Sequence, residues 1–360
     1  MFATAVTPAR GAGAPDVDLV EGLDALREDW THLAEASHNI FATWEWNSLW
    51  WRRYGGDLRL RVAVVGEGDA QAIVPLFEWS RRPLRALRLL GHGHGDRLGP
   101  ICAEDDPQVS AQAMRLALAA EPHDVLVGDW VAGDRSWAQV LGGRVVRTTG
   151  YPILDLTHGS WQEFLAGRSP KFRKSVRHGH NRLRRDGDVG VRATTADSLE
   201  RDLDTAFRLH RARFGAHAGC HFCGAHERFH REFAAVAFDR GWLRLLFLEV
   251  EGEPVASEYG FVFQDAYFAY QGGRDPAWDR HSVGFLLEVE SIRRALEEGL
   301  QEYRFLGGAE GYKYRYPTTD PGLETVVVPA SRSGRVAAAA LDAAWRLPGG
   351  RSILRRLGSA

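Results

Sequence analysis

The clearest alternation of apolar and polar positions lies in residues 241–317. Two apolar, aromatic-rich runs, residues 243–250 and 255–263, flank the turn-forming residues 251–254. A third apolar run covers residues 266–271 and ends at a pair of glycines. Runs of this length joined by short turns pair as neighbouring antiparallel strands. The pattern therefore predicts three consecutive antiparallel strands.

A helix is predicted directly after these strands. Its apolar positions recur at helical spacing, at Phe285, Val289, Ile292 and Leu296. Ser282 is a good N-cap, Gly299 is a good C-terminal stop, and a short strand at residues 303–306 follows. First-turn amides of a helix have no helical partner, and the helix dipole favours negative charge there. The helix start is therefore a candidate anion site.

Residues 56–79 repeat the strand pattern of the central segment. The sequence GDLRLRVAVVGEGDAQAIVPLFEW aligns with GWLRLLFLEVEGEPVASEYGFVF when Leu58 is matched to Leu243. One such pair favours two related half-domains. A helix is predicted at residues 109–120, but its cap and the preceding turn are not comparable with those of the central segment. We therefore expect the first half to lack a cofactor site and to form one wall of a cleft.

Length and composition fit a globular protein of about two domains. The chain has 360 residues, of which 44% are hydrophobic and 26% charged, and this excludes disorder of the whole chain. The expected units are a flexible tail at 1–15, an N-terminal domain at 16–155, a C-terminal domain with the candidate site at 156–330, and a basic C-terminal helix at 331–360.

The sequence predicts a cytoplasmic chain with reduced cysteines. No apolar run is long enough for a membrane-spanning helix, and we expect no secretory signal. The chain has 3 cysteines, which cannot form a disulfide framework. The Ala-rich C-terminal segment with its basic end is expected to be a solvated helix. Peripheral contact with an anionic membrane surface is the alternative.

The order of strands and helix in residues 241–317 resembles the core of the Gcn-related N-acetyltransferase (GNAT) fold. The segments PVAS, SVG, EEGL and GGAEGYKYRY resemble the tandem-GNAT group, which includes the CelD-like polysaccharide-biosynthesis acetyltransferases and, more distantly, the FemABX peptidyltransferases. The resemblance covers about residues 20–330. It implies an α/β (α+β) fold with two GNAT-like domains in tandem, each a mixed, mostly antiparallel sheet flanked by helices.

The resemblance also implies acetyl-CoA or another acyl-CoA as the co-substrate, with its pyrophosphate at the helix start. The residues matched to this grip are Arg280, His281, Ser282, Val283 and Gly284. The segment RHSVGF departs from the family fingerprint at Val283 and Phe285, where small residues are expected. Because of that departure, aminoacyl-tRNA stays an alternative acyl donor. No metal is expected.

Glu258 is the candidate general base. It lies in the second strand of the hairpin, which resembles a GNAT strand that often carries a catalytic glutamate. A carboxylate among aromatic and aliphatic neighbours has a raised pKa, as a base working near neutrality requires. An outward-facing charge on an edge strand is the alternative. Tyr270 and Gln271, at the end of the third strand, are candidates to face the reacting carbonyl, and they fit core and turn positions equally well.

Candidates for substrate binding come from three further segments. Glu310, Tyr312 and Lys313 match the closing pattern of the family, and Lys313 is a candidate to hold a phosphate or carboxylate of the acceptor. Glu45 lies in the segment WEW, whose tryptophans are expected to be core of the first domain. Asp96 follows the Gly-rich segment GHGHG, which is expected to be a loop at the cleft between the domains.

A basic run is the main candidate for a macromolecular partner. Seven Lys or Arg residues lie between Lys171 and Arg185. Such a run can bind a phosphate of CoA, a tRNA acceptor stem or an anionic lipid carrier. The alternative is a solvated helix that buries Phe172, Val176 and Leu183. No feature predicts sequence-specific DNA recognition.

The segment HAGCHFCGAHERFH carries residues of metal-ligand type. These are Cys220, Cys223, His226 and His230. The link between the two pairs is short for a zinc finger, so we expect a loop followed by a helix instead of a metal site. His92 and His94 also lack a carboxylate or cysteine at a spacing that would complete a ligand set.

Together these features predict a GNAT-type acyltransferase that moves an acetyl or other acyl group from acyl-CoA to an amine or hydroxyl acceptor, including a sugar. A place in polysaccharide or envelope biosynthesis is implied by the resemblance alone. Two alternatives stay open. One is a FemABX-like, aminoacyl-tRNA-dependent peptidyltransferase. It is favoured by the basic helix and by the cofactor turn, whose sequence departs from the family fingerprint. The other is a non-catalytic biosynthetic scaffold.

Overall fold

The computed structural model describes residues 16–66, 70–81, 84–103, 106–157, 159–215, 220–308, 310–316 and 319–346. The tail predicted at 1–15 and the basic end of the C-terminal helix lie outside these residues. Within them, the strands form two mixed, mostly antiparallel sheets with helices on their faces. This arrangement confirms the predicted fold class.

The elements are numbered in chain order. The strands are β1 Asp16–Val20, β2 Arg59–Gly66, β3 Ala72–Arg81, β4 Leu84–Leu89, β5 Ile101–Cys102, β6 Val125–Ala132, β7 Arg144–Thr149, β8 Ile153–Asp155, β9 Val189–Ala193, β10 Leu243–Val250, β11 Glu253–Phe263, β12 Ala266–Arg274, β13 Glu302–Arg304 and β14 Leu323–Pro329. The helices are α1 Arg27–Ala36, α2 Trp44–Tyr54, α3 Pro107–Ala120, α4 Trp137–Leu141, α5 Trp161–Ala166, α6 Pro170–Leu183, α7 Leu199–Phe214, α8 Ala225–Asp239, α9 Val283–Glu297 and α10 Arg332–Arg346.

The two sheets contain the same supersecondary unit. The first sheet has the order β1-β2-β3-β4-β6-β14-β7, with β5 on β3, and the second has the order β8-β13-β12-β11-β10-β9. The strands named above pair antiparallel except for β4 with β6 and β12 with β13, which are parallel. The repeat predicted from residues 56–79 is therefore present as β2-β3-β4-α3-β6 and β10-β11-β12-α9-β13.

The sheets exchange strands across the boundary expected at residue 155. β8, which precedes that boundary, pairs with β13 in the second sheet. β14, near the end of the expected 156–330 unit, lies between β6 and β7 in the first sheet. Its central residues, Val326 to Val328, are buried, as a strand with neighbours on both sides and covered faces requires. Apolar patterning marks such a strand but does not say which sheet receives it.

Helices cover both faces of the second sheet. In β10, Leu245 and Phe247 pack toward the α7 and α8 side of the core, whereas Leu246 and Leu248 pack toward α9. Side chains alternate across a strand, so a sheet covered on both faces needs a continuous apolar run. β10 supplies this run as LLFL. The three consecutive antiparallel strands and the following helix are confirmed.

The aromatic-rich helix α2 joins the two halves of the molecule. Trp46 is fully buried, and its ring centroid lies 4.9 Å from that of Phe229 and 4.6 Å from that of Phe233, both in α8. It also meets the ring of Phe261 in β11. The prediction that Trp46 is a core residue is confirmed. The core that it fills is shared by both halves and is not confined to the first.

Cys220 and Cys223 form a disulfide in the turn before α8. The expectation of reduced cysteines is wrong for this pair, because the turn brings the two Cα atoms to 5.5 Å, a separation that a disulfide spans. Over the described ranges, no group of His, Cys, Asp and Glu side chains is arranged to hold a metal ion. Over the same ranges, no helix combines the length and the apolar composition needed to cross a bilayer.

Candidate active site

A cavity of about 540 Å³ opens where β12 and β13 separate. The parallel ladder joins Ala266–Phe268 to Glu302–Arg304 and then ends. Past that point, residues 269–274 and 305–307 form opposing walls of the cavity. The start of α9 and the first-domain segment 93–96 complete it. Backbone groups on the edge of β12 are thereby left facing the cavity, where a ligand can pair with them.

Glu258 lies in the middle of β11, and its residue lines this cavity. It is only 7% exposed, and β11 is a central strand. Its Oε1 accepts hydrogen bonds from the hydroxyls of Tyr267 at 2.8 Å and Tyr303 at 3.0 Å. Burial raises the pKa of Glu258, and the hydroxyl donors partly oppose that rise. The alternative of an outward edge-strand charge is wrong.

Glu288 is a second cavity acid, and sequence reasoning missed it. It lies in α9, is partly buried, and its Oε1 accepts a hydrogen bond from the Tyr316 hydroxyl at 2.8 Å. Burial raises the pKa of Glu288 to about 8. The helical spacing did carry a signal, because position 288 is polar and lies four residues after Gly284, on the same face of the helix.

The five residues matched to the pyrophosphate site do not all lie at the cavity. Ser282 and Gly284 line the cavity, whereas Arg280, His281 and Val283 do not. Val283 is fully buried in the core beneath α9. His281 is buried with its Nε2 3.1 Å from a carboxylate oxygen, and Arg280 donates a hydrogen bond to the same nitrogen. Only part of the matched segment is placed to touch a ligand in the cavity.

Ser282 precedes α9, as predicted, but its side chain makes no capping hydrogen bond. Its backbone is in the left-handed region, with φ at +56°, because a 3-10 helix at Pro276–His281 leads directly into α9. The amides of the first turn of α9 are therefore not taken by a serine hydroxyl. They remain available to an anion, which is the property that the sequence pattern indicated.

The loop that runs from β13 to Lys313 is held in shape by charged side chains, one of which, Asp96, comes from the first half of the chain. The Asp96 carboxylate accepts a hydrogen bond from the Gly307 amide at 2.7 Å, and burial raises its pKa to about 6. The Lys313 ammonium donates to the carbonyls of Leu306 at 3.1 Å and Gly307 at 3.0 Å, and pairs with Glu310 at 3.0 Å. An ammonium has three protons, so these partners account for its donors. Lys313 braces the loop and does not offer a free cation.

The remaining matched residues at the cavity also have partners in the protein. The Tyr270 hydroxyl donates to the carbonyl of His94 at 2.9 Å, which ties β12 to the first domain. Gln271 Oε1 lies 3.2 Å from Nε2 of His210. Tyr312 lines the cavity and is partly buried. These contacts therefore hold Tyr270 and Gln271 in the wall of the cavity.

Glu45 lies outside the cavity. It is 5% exposed, and its Oε1 is 2.5 Å from the Arg240 guanidinium at the end of α8. This ion pair connects α2 of the first domain to the second domain. The structure therefore places Glu45 as a contact between domains and not as a residue that lines the candidate site.

Several other cavity residues were not among those predicted for the site. These are Trp130, Arg213, His221, Arg274 and Arg315. The Arg213 guanidinium donates to the Gly272 carbonyl at 3.2 Å, and burial lowers its pKa. Arg274 is paired with Asp279. Packing of α7 and the loops against β12 brings these residues together. Local sequence spacing does not predict that packing.

A smaller cavity of about 270 Å³ also lies between the halves, around Arg97 and Arg304. It contains none of the residues predicted for the site. It also lies away from the separated ends of β12 and β13 and from the start of α9. The larger cavity is therefore the candidate active site.

A histidine cluster closes the joint beside the larger cavity. Nε2 of His94, in the first domain, lies 2.6 Å from Nδ1 of His226 in α8. The Tyr54 hydroxyl lies 3.2 Å from the same His226 nitrogen, and the buried His230 packs 6.2 Å from His94 by ring centroids. Burial, reinforced by His226, lowers the pKa of His94 to about 3. The histidine side chains of this cluster are therefore expected to be uncharged at neutral pH.

Acidification is expected to destabilise this joint. Because His94 has a lower pKa in the folded protein than its ordinary value of 6.5, its contribution is complete above that pH and declines as the pH falls toward about 3. Between neutrality and about pH 5 the wild-type protein is expected to lose about 2 kcal/mol more unfolding free energy than His94→Gln. Urea denaturation at both pH values measures this. His32→Gln, at an exposed position, is the control, and equal losses in the wild-type protein and His94→Gln would contradict the assignment.

Comparison with known proteins agrees with this geometry. Residues 170–314 match the family model described as an acetyltransferase (GNAT) domain. No curated protein matches the chain. Among solved structures, FemX has a TM-score of 0.62 at 11% identity, covering 88% of this chain and 98% of FemX. The C-terminal domain of a putative lysylphosphatidylglycerol synthetase from Agrobacterium fabrum has a TM-score of 0.54 at 13% identity, with coverage of 90% and 98%. L-PGS from Bacillus licheniformis has a TM-score of 0.52 at 14% identity, with coverage of 89% and 96%.

Identities this low establish a shared fold and no shared substrate. The family match covers the unit that contains β9 to β13 and α6 to α9, and the structural matches extend over both sheets. Residues 170–314 thus match an acetyltransferase (GNAT) domain, and the chain as a whole shares its fold with FemX.

Proposed function

We propose that this protein transfers an acyl group from acyl-CoA to an amine or hydroxyl acceptor in the cavity between β12, β13 and α9. The observation that carries the proposal is the position of that cavity. It joins an unpaired edge of β12, the uncapped first turn of α9 and the buried Glu258. A thioester donor needs these three elements: an extended edge for its amide-bearing arm, an anion site for its pyrophosphate and a base for the acceptor.

The donor phosphates are assigned to the start of α9. The first-turn amides beside Ser282 and Gly284 supply hydrogen-bond donors without a competing side-chain cap. Arg213 adds positive charge to the same cavity. Arg280 and His281, matched by sequence, are assigned to support the turn instead.

Glu258 is assigned as the group that takes the proton of the acceptor. Its raised pKa suits proton transfer near neutrality, and its two tyrosine donors fix the position of the carboxyl. The acceptor is assigned to the side of the cavity formed by Asp96, Tyr312 and Trp130. A sugar or small amine fits this assignment, and a role in polysaccharide or envelope biosynthesis is part of the proposal.

The first domain is assigned as a cavity wall without its own donor site. At the start of α3, the Asp106 side chain accepts from the Gln108 amide, so a carboxylate already occupies the position of an anion. Past the ladder of β4 and β6, the His92 ring lies 3.1 Å from the buried Asp129 carboxylate. We infer that this pair takes the place of a ligand there.

An aminoacyl-tRNA donor is the second candidate, and one surface favours it. Helix α6 buries Phe172, Val176 and Leu183, which confirms the predicted helix. The seven Lys and Arg residues between 171 and 185, five in α6 and two directly after it, are exposed, and among the described residues none of them forms an ion pair with a carboxylate. Helix α6 also packs against α9. An uncompensated basic face beside the donor end of the cavity fits a polyanion.

Titration calorimetry with acetyl-CoA tests the donor. The wild-type protein is expected to bind it, and Gly284→Asp to weaken binding about tenfold or more, because the new carboxylate occupies the first turn of α9. The added Cβ meets its nearest neighbour at 3.7 Å, so the variant is expected to fold. Gly22→Asp, the same substitution at an exposed glycine outside the cavity, is the control and is expected to bind like the wild type. Absent acetyl-CoA binding together with retention of charged tRNA would establish the second candidate.

A further inference from the structure

We propose that Glu288 is the general acid of this site: in its protonated form it gives a proton to the leaving atom of the acyl donor, while Glu258 takes the proton of the acceptor. This assignment rests on the proposed acyl transfer and adds a catalytic residue to it. The family match assigns no role to Glu288, and Glu288 is not among the residues predicted for the site from the sequence.

The two residues line one cavity, and a chain of hydroxyl groups links the Glu258 carboxyl to the main chain at Glu288. Glu258 accepts from Tyr303, whose hydroxyl lies 2.8 Å from Oγ of Ser291. Oγ of Ser291 in turn lies 2.9 Å from the main-chain carbonyl oxygen of Glu288. The network therefore fixes the turn of α9 that carries Glu288 relative to the strand that carries Glu258. Two acids held in this way can act on opposite sides of one reacting carbonyl.

The position of Glu288 on α9 assigns it to the donor. Gly284 and Glu288 are four residues apart and therefore lie on one face of the helix, with Glu288 one turn deeper. Both line the cavity. If the donor phosphates lie at the first turn, its leaving atom reaches the cavity along this face. Glu258 projects from the sheet instead, where the acceptor is assigned.

The hydrogen-bond donors around each carboxyl decide which of the two holds the proton. Glu258 accepts from two tyrosine hydroxyls, which stabilise its anion. Glu288 accepts from the single hydroxyl of Tyr316, and burial dominates its environment. Because nearby acids resist joint ionisation, the pair keeps one proton near neutrality, and that proton resides on Glu288.

Other groups around Glu288 modify this balance without reversing it. From outside α9, Arg213 of α7 and Arg315 of the closing loop favour the ionised form, as does the Tyr316 hydroxyl. Glu258 of β11 favours the protonated form. Tyr303 and Tyr312 face the same carboxyl as neutral phenols whose own pKa values are raised. The net effect is the raised pKa of Glu288.

The proposed step conserves atoms and charge. The acceptor nitrogen or oxygen forms a bond to the acyl carbon, and its proton passes to the Glu258 carboxylate. The bond from the acyl carbon to sulfur breaks, and the sulfur receives the proton of Glu288. One proton has then moved onto Glu258 and one has left Glu288, and exchange through the open cavity restores the resting pair.

Two acetyl donors with different leaving groups test this role. With acetyl-CoA, Glu288→Gln is expected to lower kcat/KM about 10²-fold, as loss of a general acid does. With the acetyl thioester of a nitrothiophenol, whose sulfur leaves readily as the anion, the loss is expected to shrink to under about threefold. Glu258→Gln is expected to lower kcat/KM by the same factor with both donors. Glu297→Gln, at the exposed end of α9, is the control. An equal loss with both donors in Glu288→Gln overturns the proposal.

The resting protein provides a readout that does not depend on the donor. At neutral pH the infrared spectrum is expected to contain a protonated-carboxyl stretch that disappears in Glu288→Gln and persists in Glu258→Gln. Tyr316→Phe is expected to extend the band to higher pH, because the phenol that stabilises the anion is lost. A wild-type protein without this band overturns the proposal. A wild-type protein that shows the band but uses neither thioester contradicts the acyl-CoA function, and leaves the protonated state of Glu288 supported.

Discussion

Glu258→Gln is expected to lower kcat for acyl transfer by about 10²- to 10⁴-fold, the range typical of a lost general base. Glutamine keeps the shape of the side chain and can still accept from Tyr267 and Tyr303, so the fold and donor affinity should change little. Only the ability to take a proton is removed. The measurement is the initial rate of thiol release from acetyl-CoA with a panel of amine and sugar acceptors.

The matched control is Glu253→Gln, at the exposed start of the same strand. It should leave both kcat and KM at wild-type values. A Glu258→Gln protein that retains more than about a third of the wild-type kcat would contradict the assignment of Glu258 as the base, since general-base catalysis contributes at least about a hundredfold.

Trp46→Ala is expected to lower the free energy of unfolding by about 3–5 kcal/mol, the cost of replacing a buried tryptophan by alanine. The side chain is fully buried among Phe229, Phe233 and Phe261, which belong to the second domain. The cavity left behind therefore lies in the joint between domains. Activity is also expected to fall, because that joint positions the first-domain wall of the site.

Urea denaturation followed by circular dichroism measures this loss. Trp345→Ala, in the partly buried C-terminal helix, is the control and is expected to cost clearly less. A Trp46→Ala protein destabilised by less than about 1 kcal/mol would show that α2 does not join the domains in the way described here.

The local hydrophobic pattern was sufficient to predict the central strands of the second sheet and helix α9. The alternation in residues 241–271 and the helical spacing from Phe285 to Leu296 are set by which faces are buried, and burial on both faces gave continuous runs that were easy to recognise. The repeat at residues 56–79 was visible for the same reason. Pairings between distant segments were not visible. β14 joins the first sheet because its apolar run fits between β6 and β7, and sequence spacing carries no information about that partner.

The site was predictable only where one local element formed it. Glu258 and the start of α9 follow from a strand and a helix terminus, and both lie at the cavity. Glu45 and Lys313 are polar residues whose partners come from elsewhere in the fold, so their structural roles became apparent only with Arg240 and the loop carbonyls in place. Glu288 was missed because a single glutamate on a helix is ordinary until tertiary packing buries it.

A crystal structure of the protein determined with bound CoA would be the most direct test of the acyl-CoA assignment. The account predicts that the pyrophosphate lies against the first-turn amides of α9 beside Ser282 and Gly284, and that the pantetheine arm runs along the edge of β12 toward Glu258. CoA bound in the smaller cavity around Arg97 and Arg304, or absent from a crystal whose β12 edge is open, would contradict it.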